Sequence, residues 1–358
     1  MSGVRVKTIF MLWAFIVLML VIGCWENSNS DHSSSLFPVK VDGKWGYIDS
    51  TGSIVGEIKY EGLSFISEGF GIAYAQNTWS VIDQKGKAFF VASLDSLMPV
   101  GNINEGVFKV ASKEGYGYFL TVSGEEMLKL DQRKFHWTAS EFNDERLIVS
   151  LENGDFGILN RSGKLLYQTG KYRIDNYSEK VARVYNSEET CYLNHQGELL
   201  YCFRGRGLTF SEGGFFLKDR NETKFINKDG SIRFYLEAVQ DMYSFSEGLA
   251  MIKKEGLWGY IDKHGKISIP NRYSSAHSFH HDLAFVREQG TDLWSIIDKK
   301  GSIVVDKKIK DMAQPFFEGA LALVKVDDTW CYMNRKGEIV WKNMPSPYSE
   351  TQWSIPPS

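Results

Sequence analysis

The stretch EGLWGYIDKHGKISIP, Glu255 to Pro270, decides the fold, because near-copies of it run through most of the chain. One of them, DGKWGYIDSTGSIV, begins at Asp42. Each copy ends in a turn whose last residue is glycine, and this glycine recurs at Gly52, Gly86, Gly124, Gly163, Gly197, Gly230, Gly265, Gly301 and Gly337. Neighbouring turn glycines are 33 to 39 residues apart. A period held this closely is typical of a repeat architecture.

Every unit contains three short segments that are rich in Val, Ile, Tyr, Trp and Phe and bounded by turn residues, as in FSEGLAMIKK, LWGYID and KISI. Such segments are predicted to be β-strands. Between the second and third strands, Asp262 begins a four-residue turn and Gly265 ends it. We expect the aspartate to cap a type I turn and the glycine to take the left-handed conformation of a three-residue hairpin with a bulge.

KWGYID at Lys44 and LWGYID at Leu257, with FSEG upstream and GKISIP downstream, resemble the WG (KWG) repeats of bacterial envelope and multidomain proteins. The resemblance implies a β-propeller. It identifies these structural repeat aromatics: Trp45, Trp79, Tyr116, Phe156, Trp258, Trp294 and Trp330. Thr190 and Thr223 stand at that place in the fifth and sixth units. A repeated ring indicates a core between stacked units, and a carbohydrate- or peptide-binding surface is the alternative.

The fold class predicted from the repeats is all-β, with units of about 36 residues stacked into a propeller-like toroid. An open β-solenoid is the alternative closure. The predicted organisation is a signal peptide over 1–23, a flexible tether over 24–36, nine repeats over 37–342 and a C-terminal tail over 343–358.

The N-terminus carries two basic residues, then an apolar run that is short for a membrane span, then Val21-Ile22-Gly23-Cys24. The last four residues resemble a bacterial lipobox, which implies cleavage before Cys24 and a covalent lipid on its sulfur. An uncleaved signal anchor is the alternative. Either interpretation predicts a protein on the exported side of the bacterial membrane, and a lipidated Cys24 would be its membrane anchor. The Ser-rich stretch that follows predicts a tether.

The 358-residue chain has a formal net charge of −3, and its basic residues are scattered. An extended phosphate-binding surface is therefore disfavoured, and no nucleic-acid partner is expected.

Candidate chemical groups are few. His277, His280, His281 and Asp282 have the residue types of a metal site. His280, His281 and Asp282 fill the Ser-Glu-Gly positions of a drifted repeat, however, so no metal is predicted. An acid recurs at Glu68, Glu105, Glu179, Glu212, Glu247 and Glu318. Six equivalent acids do not make one active site, and each is expected to accept hydrogen bonds from backbone amides. No catalytic residue and no cofactor other than the lipid is predicted.

Three cysteines remain besides Cys24. Cys191 and Cys202 flank one hairpin turn, and the export signal permits a disulfide. A simple three-residue turn would place Cys191 opposite Tyr201, whereas a longer loop would place the two sulfurs opposite each other. Free buried thiols are the other possibility.

These features together predict a lipid-anchored envelope repeat protein that binds an unknown protein or glycan partner without enzymatic activity. The alternative is an enzyme, or an enzyme accessory, that acts on an envelope polymer through loops at one mouth of a propeller. That alternative directs attention to the irregular third to sixth units, with DQRKFHW at Asp131 and FRGRGL at Phe203.

Overall fold

The computed structural model describes residues 36–93, 97–137, 141–220, 222–313 and 320–347, and these residues form strands, turns and loops. The predicted signal peptide, Cys24, Glu318 and the predicted tail beyond residue 347 lie outside the described residues. The described part of the chain contains no apolar helix of membrane-spanning length.

In the described part of the chain the strands form eight antiparallel sheets, one of which has seven strands. Dividing that sheet at its fourth strand gives nine repeated units, here called blades. Blade 1 contains β1 (Phe37–Val41), β2 (Lys44–Ile48) and β3 (Ile54–Tyr60). Blade 2 contains β4 (Gly62–Leu63), β5 (Phe70–Ala75), β6 (Thr78–Asp83) and β7 (Ala88–Ser93). Blade 3 contains β8 (Leu97–Asn104), β9 (Val107–Ser112), β10 (Tyr116–Thr121) and β11 (Glu126–Asp131). Blade 4 contains β12 (Phe135–Trp137), β13 (Arg146–Leu151), β14 (Phe156–Asn160) and β15 (Leu165–Thr169). Blade 5 contains β16 (Arg173–Ile174), β17 (Ala182–Tyr185), β18 (Glu189–Leu193) and β19 (Leu199–Arg204). Blade 6 contains β20 (Arg206–Gly207), β21 (Gly214–Asp219), β22 (Glu222–Asn227) and β23 (Ile232–Leu236). Blade 7 contains β24 (Asp241–Met242), β25 (Ala250–Lys254), β26 (Leu257–Ile261) and the first part of β27 (Ile267–Ala276). Blade 8 contains the end of β27, β28 (Leu283–Glu288), β29 (Trp294–Asp298) and β30 (Ile303–Ile309). Blade 9 contains β31 (Asp311–Met312), β32 (Leu321–Val326), β33 (Thr329–Asn334) and β34 (Ile339–Met344).

The three predicted strands of each unit are the second, third and fourth strands of a blade, and a further strand, often only two residues long, precedes them in blades 2 to 9. Within a blade, consecutive strands pair antiparallel. The second and third strands are buried on both faces, as in β5 and β6. The fourth strand is the exposed one, and it leaves apolar side chains such as Leu199 in solvent.

The turn between the third and fourth strands has the predicted chemistry. In blade 7 the Asp262 carboxylate accepts the backbone N–H groups of His264 at 2.9 Å and Lys266 at 3.0 Å. Gly265 has a φ of +77°, and all nine turn glycines have positive φ. Glycine is favoured there because a side chain strains the left-handed conformation.

A β-bulge follows this turn in blades 2 to 9, whereas in blade 1 the pairs nearest the turn are in continuous register. In blade 2, Ile82 pairs with Ala88 and Val81 pairs with Phe90, so Phe89 is the extra residue. The bulge shifts the fourth strand by one residue relative to the third. Every side chain beyond it therefore changes the neighbour it faces.

The ring closes by contact between blade 9 and blade 1. The Tyr332 hydroxyl donates a hydrogen bond to the carbonyl oxygen of Pro38 at 3.0 Å, and the ring centroids of Phe37 and Tyr332 are 5.6 Å apart. Leu36, Phe37, Tyr332 and Met344 belong to one buried cluster. Since the first and last units share a core, the toroid is confirmed, and an open solenoid is excluded.

The same tyrosine contact joins blades elsewhere in the ring. Tyr47 donates to the carbonyl oxygen of Ser64, and Tyr260 donates to that of His277, each at 2.8 Å. Both hydroxyls belong to the third strand of one blade and reach the residues that lead into the second strand of the next. The closing seam therefore uses a contact that the repeat already provides.

Candidate functional site

A ladder of carboxylates connects neighbouring blades at the end of the blades where the turn glycines lie. Glu247 lies in the turn before β25, and its carboxylate accepts the backbone N–H of His281 at 2.5 Å and that of Asp282 at 2.8 Å in blade 8. Glu68 binds Glu105 and Gly106 of blade 3 in the same way, at 3.0 and 2.8 Å. Corresponding bonds are made by Glu105, Glu179 and Glu212. The predicted role of the recurrent acid is confirmed for these five residues.

Basic side chains complete this carboxylate ladder. Lys299, Lys263 and Arg161 each occupy the second position of an Asx-x-x-Gly turn. They contact the glutamate of the preceding blade: Lys299 Nζ lies 3.1 Å from Glu247, Lys263 Nζ lies 3.3 Å from Glu212, and Arg161 lies 2.9 Å from Glu105. At each of these three junctions a glutamate carboxylate thus binds one or two backbone N–H groups and a basic side chain.

The ladder sets the protonation of Glu247. Burial raises the pKa of its carboxyl, but the N–H of Asp282, the Lys299 ammonium and the N–H of His281 outweigh burial and hold the pKa below its usual value. Hydrogen bonds and a positive neighbour both favour the charged form. Glu247 is therefore an ionised structural group at neutral pH, and its lone pairs are directed at the next blade.

The repeat aromatics lie at the opposite end of the third strand, beside the hairpin that joins it to the second. Lys253 pairs with Trp258 across this hairpin, and its ammonium lies 5.6 Å from the ring centroid. Arg287 lies 5.0 Å from the ring of Trp294, and Lys40 lies 5.6 Å from that of Trp45. A cation over an aromatic face within about 6 Å is attracted by the ring quadrupole.

These aromatics divide into two groups by burial. Trp45, Trp79 and Trp330 are buried in the core. Trp258, Trp294 and Phe156 are only partly buried. The first group belongs to the contact between units, whereas the second also presents ring surface at the hairpin end of the blades, which we call the hairpin face.

Tyr116 was predicted to be the repeat aromatic of the third unit, and the strand register corrects this assignment. Trp45 and Gly117 each lie seven residues before their turn glycines, Gly52 and Gly124, so Gly117 is the equivalent residue. Tyr116 is one position earlier, where its ring lies 4.1 Å from the Lys129 ammonium. The YGY sequence imitates the WGY sequence one residue out of phase, which explains the error.

An open cleft of about 510 Å³ lies on the hairpin face, between blade 4 and blade 5. Three aromatic residues line it: Phe156 at the start of β14, Tyr172 in the connection from β15 to β16, and Tyr185 at the end of β17. The remaining lining residues are Gly170, Lys171, Arg173, Asn186 and Ser187. Clefts of this size with aromatic walls and a few polar groups are typical of small-molecule sites.

One acid of this region is already bound by its neighbours. Glu189 Oε1 accepts Lys171 Nζ at 2.6 Å and the Tyr172 hydroxyl at 2.7 Å, and Lys171 Nζ also lies 2.8 Å from the Tyr172 oxygen. The hydrogen bonds from Lys171 and Tyr172 lower the pKa of Glu189, and the bonds to Glu189 and Tyr172 raise the pKa of Lys171. The charge of Lys171 is therefore balanced by Glu189.

A disulfide joins Cys191 to Cys202 behind this acid. The turn itself has the simple form, since Asn194 N–H donates to Glu198 O at 2.8 Å. The bulge at Leu200 then places Cys191 opposite Cys202. The disulfide excludes free thiols at these two positions. A uniform strand register does not place the two cysteines opposite each other, because it omits the bulge.

Two groups of described residues have side chains of the types that bind metals, and both make other contacts in the structure. Glu189, Cys191 and Cys202 bring their ligand atoms within 4.8 Å of one another, but both sulfurs are bonded to each other and are not thiolates. The His277 ring packs on Trp294, with centroids 5.1 Å apart, while Asp282 binds Lys299 at 2.7 Å. In the described structure His277 therefore has an aromatic neighbour and Asp282 a basic one.

The cleft residues were not identified from the sequence. The useful signal was GKYRIDNY, Gly170 to Tyr177, which places two basic and two aromatic residues in the connection between two blades. In the two segments that the sequence analysis favours for an enzyme site, DQRKFHW at Asp131 and FRGRGL at Phe203, arginines already form ion pairs. Arg133 pairs with Asp131 at 2.8 Å, and Arg206 pairs with Asp241 at 3.0 Å.

Comparison with known families agrees with the repeat. The family described as "WG containing repeat" matches residues 45–78, 225–258, 258–291 and 294–330. The chain therefore contains WG-type repeats at four positions, in its first unit and in its last third. No curated protein matches the sequence.

Solved structures with a similar strand arrangement include BamB from Moraxella catarrhalis, with 11% sequence identity, 75% of this chain and 92% of that chain covered, and a TM-score of 0.36. The dihydro-heme d1 dehydrogenase NirN in complex with DHE shares 14% identity over 75% of this chain and 72% of its own, with a TM-score of 0.43. Hsv2p from Kluyveromyces lactis shares 8% identity over 66% and 91%, with a TM-score of 0.36. The fold described above rests on the strand order and the seam contacts.

Proposed function

We propose that this chain is a lipid-anchored protein of the bacterial cell envelope and a non-enzymatic binding scaffold, with its binding surface on the hairpin face. The observation that carries the proposal is the division of labour between the two ends of the blades. The carboxylate ladder uses the recurrent acids to join blades, whereas the hairpin face presents partly buried rings, cations and the cleft between blades 4 and 5. Binding surfaces combine aromatic area with a few placed polar groups in this way.

The anchor is supported by the sequence around Cys24, which resembles a lipobox. It is tested on the full-length protein, expressed in bacteria supplied with a fatty-acid analogue. The expected result is label and signal-peptide cleavage in the native protein and neither in the Cys24→Ser variant. Label that persists in Cys24→Ser, or a native protein without label, would refute the anchor.

The binding role is tested with purified envelope glycan carrying a fluorescent label. Full-length protein in detergent is expected to retain the glycan and to leave its chain length unchanged during prolonged incubation. Shortened chains would support the alternative of an enzyme that acts on an envelope polymer. Failure to retain glycan would restrict the scaffold to protein partners.

A further inference from the structure

We infer that the cleft between blades 4 and 5 binds an acidic saccharide, a sugar ring that carries a carboxylate. This inference rests on the proposed binding function and names the ligand class of its site. It is carried by the cleft's balance of charge, its three rings and the support behind its wall.

The charge balance of the cleft favours an anion. Lys171 is neutralised by Glu189, at 2.6 Å. Arg173 is exposed, and no described residue forms a hydrogen bond or an ion pair with its side chain. A guanidinium presents paired N–H donors that match the two oxygens of a carboxylate. Of the two basic residues that line the cleft, Arg173 is therefore the one without an acidic partner.

A second donor lies beside Arg173, in the hairpin between β17 and β18, because Arg173 pairs with Tyr185 and Asn186 follows Tyr185. The side-chain oxygen of Asn186 accepts the backbone N–H groups of Glu188 at 2.9 Å and Glu189 at 3.0 Å. These bonds fix the orientation of the amide, so its NH₂ group is left for a ligand. Ser187, exposed beside it, adds a hydroxyl. The polar side of the cleft thus consists mainly of donors, which suit carboxylate and hydroxyl oxygens.

The rings supply the apolar side. Phe156, Tyr172 and Tyr185 are each partly buried, so each ring is held by the blades and still reaches the cleft. Tyr185 is further fixed by the Arg183 guanidinium, 4.3 Å from its centroid. A sugar ring has one face of C–H groups and an edge of hydroxyls, and rigid aromatic surface beside placed donors complements both.

The disulfide supports the wall that carries these groups. Glu189 and Cys191 lie two residues apart on β18, so their side chains share a face, and Cys202 is paired with Cys191 on β19. The cross-link fixes the strand from which Glu189 holds Lys171 and Tyr172. Glu189 is therefore a positioning residue, and Arg173 is the residue that contacts the ligand.

The test uses the full-length protein in detergent, with a tetramer of galacturonic acid as the probe and its fully methyl-esterified form as the matched ligand without charge. The acid is expected to bind at least tenfold more tightly than the ester, measured by calorimetry at low salt. Arg173→Gln is expected to remove this difference, and Arg220→Gln, at an exposed arginine in the next blade, is expected to retain it. Tyr172→Phe keeps the ring and is expected to stay within threefold of the native affinity, whereas Tyr172→Ala is expected to lose at least fivefold.

Three results would overturn the inference: equal affinity for acid and ester, native affinity in Arg173→Gln, or no binding of either tetramer. Any of these, together with retention of whole envelope glycan by the same preparation, leaves the proposed function standing and refutes the ligand class. Loss of glycan retention as well would refute both. Because the Arg173 side chain is exposed and has no bond to the described residues, its replacement does not threaten the fold.

Discussion

Replacing Glu247 with alanine tests whether the carboxylate ladder stabilises the ring. The change removes the acceptor for the N–H groups of His281 and Asp282 and the partner of Lys299. A hydrogen bond to a charged group contributes about 1.5–3 kcal/mol. Since the Glu247 side chain is 31% exposed, water can replace part of what is lost. We expect Glu247→Ala to lower the free energy of unfolding by about 1–3 kcal/mol in total.

The pH dependence of this loss has a definite sign. The pKa of Glu247 is below its usual value in the folded protein. A carboxyl with a lowered folded pKa stabilises the fold fully above its unfolded pKa, and this contribution disappears as the pH falls through the folded pKa. The difference between native protein and Glu247→Ala should therefore be full at pH 7 and shrink as the pH falls below about 4.

Urea denaturation followed by tryptophan fluorescence, from pH 7 down to the lowest pH at which both proteins fold, measures the difference. Glu237→Ala is the control, because Glu237 is an exposed acid with no hydrogen bond to the described residues. Equal midpoints for the two variants at pH 7 would refute the structural role of the ladder. A difference that stays constant with pH would refute the assignment of the effect to the ionised carboxylate.

Three further changes test the disulfide, the seam and a close approach. The Cys191→Ala/Cys202→Ala double variant removes a cross-link between residues 11 apart, and loop-closure entropy puts the loss at about 3 kcal/mol; a thermal midpoint equal to that of the oxidised native protein would contradict this. Tyr332→Phe removes the hydroxyl that bonds blade 1 and should cost about 1 kcal/mol, whereas Tyr235→Phe, at a tyrosine that is 58% exposed, should leave the urea midpoint unchanged. Gly259→Ala would place a Cβ 2.7 Å from backbone atoms of β27, so a loss of about 1–3 kcal/mol is expected, and an unchanged midpoint would show that the strands separate freely.

The repeat and its turns were predictable because they depend on local chemistry. The Asx-x-x-Gly turn specifies its own hydrogen bonds, and Asp262 and Gly265 behave as their residue types require. The capping role of Glu247 was also predictable, since an acid that recurs in six of the nine units is expected to accept hydrogen bonds from backbone amides. What the sequence left open was the partner, which is a turn in the next blade 34 to 35 residues away.

The register and the cleft were not predictable, for two physical reasons. A single bulged residue, Leu200, shifts β19 by one position and brings Cys202 opposite Cys191, and a uniform register counted from the turn omits this shift. The cleft is a contact between two departures from the repeat, Phe156 in blade 4 and the segment around Tyr172 before blade 5. A repeat is recognised from residues that its units have in common. The cleft is formed by residues that differ from the repeat in two units, so the repeat pattern does not reveal it.

The seam has a mechanical consequence. Blades 7 and 8 share the continuous strand β27, so separating them requires breaking a run of backbone hydrogen bonds. In the described residues, blades 9 and 1 share no strand and are held by side chains such as Tyr332. Other neighbouring blades that share no strand are consecutive in the chain, whereas blades 9 and 1 are the last and the first. The ring therefore has one cut, which lies beside β1, the first described strand after Cys24. If Cys24 is fixed in a membrane, tension on the protein enters at that cut, and blade 1 is the first part of the ring to carry the load.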